Sequence, residues 1–323
     1  MNNPVIYKSL YYFLSVLLLL PFTVKAVENT GTVDFQESVT NYFLIPDQYD
    51  NYGLIRIRSD VVFSSGSSPK LINHASGRIV FTGDFFDLYN PDSVFENKGS
   101  AYFLSGGFAL IRGKIINRNL MIFDANTANS RFYCDFDNTG LIINEGKLII
   151  TQGTECKLRD NHFPAKARLL NLGGSLVVNG ILGDGSGLIN SLRSTISGNG
   201  TMKLAPGSYF GGNTFSPGDP IGTLTLESDI DLFCLGCSVD IELAGPDKSD
   251  HLQVNSDFYM HSWNLNVMLR EGYIPEPGTQ FTIIAANLVY FYGQQPTYNL
   301  PPLPDGRTWD IQNTGTEVIL TAN

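Results

Sequence analysis

Residues 194–226 read STISGNGTMKLAPGSYFGGNTFSPGDPIGTLTL, and Gly200 and Gly222 each open a short β-prone run, 22 residues apart. Glycine corners separating apolar runs at that distance describe about one coil of a parallel β-solenoid, in which each coil buries its apolar face against the next. Working outward, the same signature recurs upstream. ASGRIVFTGD places Gly77 before a strand, NKGSAYFLSGG places Gly99 before another, and NTGLIINEGKLIITQGT and GGSLVVNG do so with Gly140 and Gly174. Asparagines stand beside the corners at 138, 144, 171, 179 and 199, where their tolerance of left-handed and bridge conformations suits a turn.

The expected fold is therefore all-β: a parallel solenoid, with an antiparallel sandwich or barrel as the competing arrangement. Only Ala165–Asn171 offers a short helix candidate. Residues 27–60 have mixed aromatics and acids with no clear period, and read as an N-terminal cap over the open end coil. Residues 61–209 form the solenoid proper. Residues 210–323 alternate apolar and polar over longer spans, with proline-rich turns, and read as terminal coils merging into a β-sandwich-like cap.

Residues 1–26 have the pattern of a secretory signal peptide. Lys8 precedes the apolar run from Leu10 to Phe22, and Val24-Lys25-Ala26 is a small-x-small cleavage site ending at Ala26. That run is short for crossing roughly 30 Å of hydrocarbon, so export with cleavage is expected, and no membrane span afterwards. The expected location is secreted, periplasmic or cell-surface. A net charge of −10 without a Lys/Arg cluster argues against nucleic acid as a partner.

Four cysteines fit an oxidising compartment. Cys234 and Cys237 form a CxxC with no second ligand pair for zinc and no βαβ context for redox work, so a structural disulfide is expected. Cys134 and Cys156 lie 22 residues apart, and stacked coils would bring them within bonding reach, making them a second candidate pair.

Sites for chemistry are sparse. Asp84, Asp87 and Asp92 could hold a cation, yet the repeat of calcium-binding solenoids is missing and a solvated loop is the expectation. Asp135 and Asp137 could share one side of a strand as an acid–base pair for glycoside chemistry, although among 31 acidic residues such a pair arises by chance. Asp247, Asp250 and His251 cluster at a turn and read as structural. The histidines at 74, 162, 251 and 261 lack metal-ligand spacing, and no GxSxG, P-loop or HExxH occurs. No catalytic residue, metal or cofactor is expected.

The C-terminal two fifths carry a resemblance. Ser216-Pro217-Gly218-Asp219-Pro220-Ile221-Gly222-Thr223-Leu224 resembles the SPGxSxGTLT signature of bacterial autotransporter passenger-associated β-helix proteins. Ser238–Leu243 and Ser249–Val254 are similar to that family's xLxxEL…SDxLxV run, Gly278–Ile284 to its GTxFTIL, and Leu303–Asp310 to its LPxGxTWxV. The resemblance implies a right-handed β-helix used for adhesion, surface display or scaffolding. It implies no catalytic residue. The expected function is a non-enzymatic, adhesin-like surface protein or envelope scaffold, binding glycans or a surface protein through exposed Tyr and Phe such as those in residues 85–103. The alternative is a polysaccharide-degrading lyase or hydrolase on the same fold.

Overall fold

The computed structural model describes residues 27–323 apart from 36–42, 45–47, 59–60, 63–67, 84, 89, 105–107, 112, 125–132, 136–139 and 159–167. Residues 1–26, read above as a signal peptide, and Asp84, Asp137 and His162 lie outside the described residues. The described chain is all-β. It winds as a parallel β-solenoid whose successive strands fall in turn on three faces, each strand pairing with its counterpart in the coil before and after.

The first face is a 12-stranded sheet running from Val27–Asn29 to Leu288–Tyr292. The second begins at Thr32–Phe35 and ends at Thr297–Asn299. The third is split into two sheets: a 5-stranded one from Phe43–Leu44 to Tyr133–Asp135, and an 8-stranded one beginning at Glu155–Cys156. Residues 168–172, partly read as helix, are a strand of the first face, because Leu169 and Asn171 stack on Ile142 and Asn144 below.

The alternating pattern of each strand explains its placement. Inward positions form columns through the coils, as in Ile57, Phe81, Phe103, Phe123, Ile150 and Val178 on the second face. Phe103 and Phe123 approach to 4.9 Å between ring centroids, and both are buried. Outward positions are half-exposed, giving the two-residue period of a sheet with one wet side.

A second column is polar. Asn29, Asn51, Asn73, Asn97, Asn117, Asn144 and Asn171 end successive strands of the first face, and all are buried. Each side-chain Nδ2 donates to the Oδ1 of the next asparagine at 2.7–2.8 Å, and Asn171 passes the chain to Ser191. Several also donate to a carbonyl across the corner, as Asn97 does to Leu120 at 2.8 Å. Asn144 and Asn171 are therefore ladder members; neither has positive φ, contrary to the turn-conformer explanation. The sequence separations along the ladder are 22, 22, 24, 20, 27 and 27. Coil length varies because corners absorb insertions while strand register is kept.

Two boundaries differ from the sequence expectation. The described strands of the expected N-terminal cap already belong to the solenoid: Val27–Asn29 pairs in parallel with Gln48–Asn51, and Thr32–Phe35 with Leu54–Ile57. At the other end there is no sandwich. Glu317–Ala322 and Trp309–Asn313 add antiparallel to the third face after Gln280–Ala285. Their turn folds over the last first-face strand, where the Val289 N–H donates to Gly315 O and Asn313 Nδ2 donates to Val289 O. Two backbone groups of an edge strand are thereby satisfied, which blunts edge-to-edge association.

Candidate functional site

The outward side of the first face changes character toward the C-terminal coils. Register places Phe233 against Tyr259 and Tyr259 against Tyr290, while Leu235, His261 and Tyr292 form the neighbouring column. Phe233 and Tyr259 turn their faces toward one another, with centroids 5.0 Å apart and planes 14° apart. Tyr290 meets Tyr259 nearly edge-on at 6.0 Å, and His261 meets Tyr292 at 4.9 Å. Phe233 is 47 % exposed and Tyr290 52 % exposed, so this aromatic ladder is a surface feature and not core.

Just below the ladder, Tyr209, Leu192 and Leu235 surround a groove of about 550 Å³. Gly211 creates it. A Cβ there would collide with the Tyr209 ring, so only glycine lets that ring lie along its own strand. Arg193 and Gly212 close one side. Carboxylates border the ladder: partial burial, with Asp231 and Asp257 nearby, pushes the Tyr259 hydroxyl above the usual phenol range. Together these residues offer apolar ring surface edged by hydrogen-bonding groups, an amphipathic surface suited to a ligand with apolar and polar sides.

The disulfide braces this region. Cys234 and Cys237, with Cα atoms 5.9 Å apart, join the end of Leu232–Leu235 to the start of Ser238–Gly245, across the corner beside Phe233 and Leu235. The other proposed pair does not form. Cys156 is a free, buried thiol. The strand holding Cys134 pairs with Phe108–Ile111, whereas Glu155–Cys156 opens the next sheet and pairs with Ile181–Leu182. Both strands lie on the third face in successive coils, so the 22-residue interval does span one coil, yet Cys156 stays unpaired.

Asp250 is the most perturbed carboxyl. It is fully buried, accepts the Gly222 N–H at 3.0 Å and the Glu242 N–H at 2.8 Å, and desolvation raises its pKa to about 7 despite those bonds. It ties the 218–222 loop to the strand Ser238–Gly245. His251, its neighbour, is held by Thr282 O and Gln253 Oε1, and the two side chains share no hydrogen bond. His74 contacts Asp50 at 2.8 Å and stacks on Tyr52, far along the chain from both.

Of the aromatics expected to be exposed at 85–103, only those from Phe95 onward are described with their side chains. Phe95 and Phe103 are core, and Tyr102 is half-exposed beneath the Arg78 guanidinium, 4.6 Å from its ring centre. The side chains of Phe85, Phe86, Asp87 and Asp135 lie outside the described residues, and Asp92 is exposed. The ladder residues carried one usable signal: in Leu232-Phe233-Cys234, Phe258-Tyr259-Met260 and Val289-Tyr290-Phe291, the middle residue is aromatic on the wet side. Among the described residues no group of three His, Cys, Asp or Glu is arranged to hold a metal ion, and no helix is long and apolar enough to cross a membrane. No family profile matches the chain, and no curated protein sequence matches it.

Proposed function

We propose that this chain is an exported, non-enzymatic, adhesin-like β-solenoid of the autotransporter-passenger kind, binding a glycan or the surface of a partner protein through its first face. The observation that carries the reading is the exposed ladder Phe233, Tyr259, Tyr290 with the adjoining Tyr209–Leu235 groove. Soluble proteins seldom leave neighbouring aromatic rings facing water without a use for them. Sugar rings present a C–H face that packs on aromatic groups, while Asp231, Asp257 and the tyrosine hydroxyls can exchange hydrogen bonds with sugar hydroxyls. The Cys234–Cys237 disulfide supports an oxidising location.

The alternative, a polysaccharide-degrading enzyme, needs an accessible acid. Asp250 has the proton affinity for that work, but it is sealed from solvent and both oxygens accept backbone N–H groups. The test is a glycan array and a surface-protein pull-down with the chain lacking residues 1–26, each repeated with Tyr259→Ala and Tyr290→Ala. Specific capture that both substitutions weaken is expected. Capture indifferent to both, or depolymerisation of the bound glycan, would overturn the reading.

A further inference from the structure

A second concavity lies on the second face, beneath the Pro217–Pro220 loop. The loop is folded down by mutual backbone hydrogen bonds between Gly198 and Gly218, at 3.2 and 3.0 Å, and is fixed at its far end by Asp250 through Gly222. Val177 shows what the loop does. It points outward from its strand, yet is only 7 % exposed, while Ser175 and Ser197 on either side remain half-exposed. The resulting groove, about 380 Å³, is lined by Ile149 beside the nearly buried Val177, by Pro217 and Pro220 of the loop, and by Ser197, Ser216 and Asp219.

Its lining holds two cations, Lys147 and Arg270, and two carboxylates, Asp219 and Glu242. Arg270 at one end is already bound to Glu242 through Nη2 and Oε1. Lys147 at the other end is exposed and has no ion pair among the described residues. With Arg270 held by Glu242, Lys147 is the lining's cation left to meet an anion, while Asp219 on the wall can accept hydrogen bonds. Ile149 is suited to the C–H face of a ring, and the hydroxyls and Asp219 to its hydroxyl groups.

We propose that this groove is a subsite for a carboxylate-bearing sugar, with its carboxylate on Lys147, its ring over Ile149 and its hydroxyls toward Ser197, Ser216 and Asp219. It is separate from the aromatic face and does not depend on that face binding anything. Binding is noncovalent and should weaken with salt, as an exposed ion pair does.

The test titrates the chain without residues 1–26 with a galacturonate trisaccharide and with its neutral methyl ester, by calorimetry at low salt. The acid is expected to bind more tightly than the ester by about fivefold, the worth of one exposed ion pair. Lys147→Gln should remove that preference and leave the ester's affinity unchanged. Ser197→Trp, which fills the groove from an outward position, should abolish both. Equal affinity for acid and ester, no binding of either, or a preference that survives Lys147→Gln would overturn the proposal. So would a preference lost instead in Tyr259→Ala, which would locate the ligand on the aromatic face.

Discussion

Asn97 Nδ2 donates to Asn117 Oδ1 at 2.8 Å, while Asn97 Oδ1 accepts from Asn73 at 2.7 Å, so one buried side chain joins three coils. Replacing it strands a donor on one side and an acceptor on the other, each costing about 1–3 kcal/mol. Asn97→Leu should therefore lower stability by about 2–4 kcal/mol in urea unfolding. Asn29→Leu, at the ladder's end with a single ladder partner, should cost roughly half as much. Equal losses at both positions would show that the ladder is not a chain of mutually dependent bonds.

Asp250 makes stability depend on pH in an unusual direction. Its folded pKa of about 7 lies above its ordinary value of 3.8, so the folded state binds the proton more tightly than the unfolded chain. This carboxyl's contribution is most favourable below about pH 4, declines as pH rises toward 7, and is constant above that. Asp250→Asn should remove that decline. The difference in thermal midpoint between wild type and Asp250→Asn, measured from pH 4 to pH 8, is expected to move in favour of the variant as pH rises. A constant difference would contradict the burial argument.

Cysteine chemistry separates the two candidate pairings. A non-reduced digest should contain a linked Cys234–Cys237 peptide, and Cys156 should react with a thiol reagent only after unfolding, since it is free and buried. A sequence separation of 3 gives a short closed loop, so reducing the bond should cost about 2 kcal/mol on the chain-entropy scale. Recovery of Cys156 in a disulfide would contradict its assignment as a free, buried thiol.

The architecture was legible from the glycine corners because a corner is punctuated in sequence wherever the backbone must pass close to the coil below. Gly99 is the example: a Cβ there would strike the carbonyls of Gly77 and His74. The period was not legible, because corners take insertions that the register ignores. Gly200 and Gly222, 22 residues apart, are not stacked; Thr201 lies on Thr225, and Gly222 packs against the Asn199 side chain. The spacing of Cys134 and Cys156 does match one coil, since their strands are consecutive on the third face, but Cys156 is free. Residues 27–57 looked aperiodic because acids and aromatics occupy their strands, although Asn29 and Asn51 already belong to the ladder. The aromatic face was hidden for a related reason. Phe233, Tyr259 and Tyr290, separated by 26 and then 31 positions, become neighbours only once the register is known.

The central claim is that the exposed ladder is a binding surface. Its most direct test is the equilibrium affinity of the chain without residues 1–26 for whichever array glycan or surface protein it captures, compared with Phe233→Ala and Tyr290→Ala variants of unchanged thermal midpoint. Each substitution removes one exposed ring and is expected to weaken binding about tenfold or more, as loss of an aromatic anchor does. Affinity unchanged in both variants would contradict the claim.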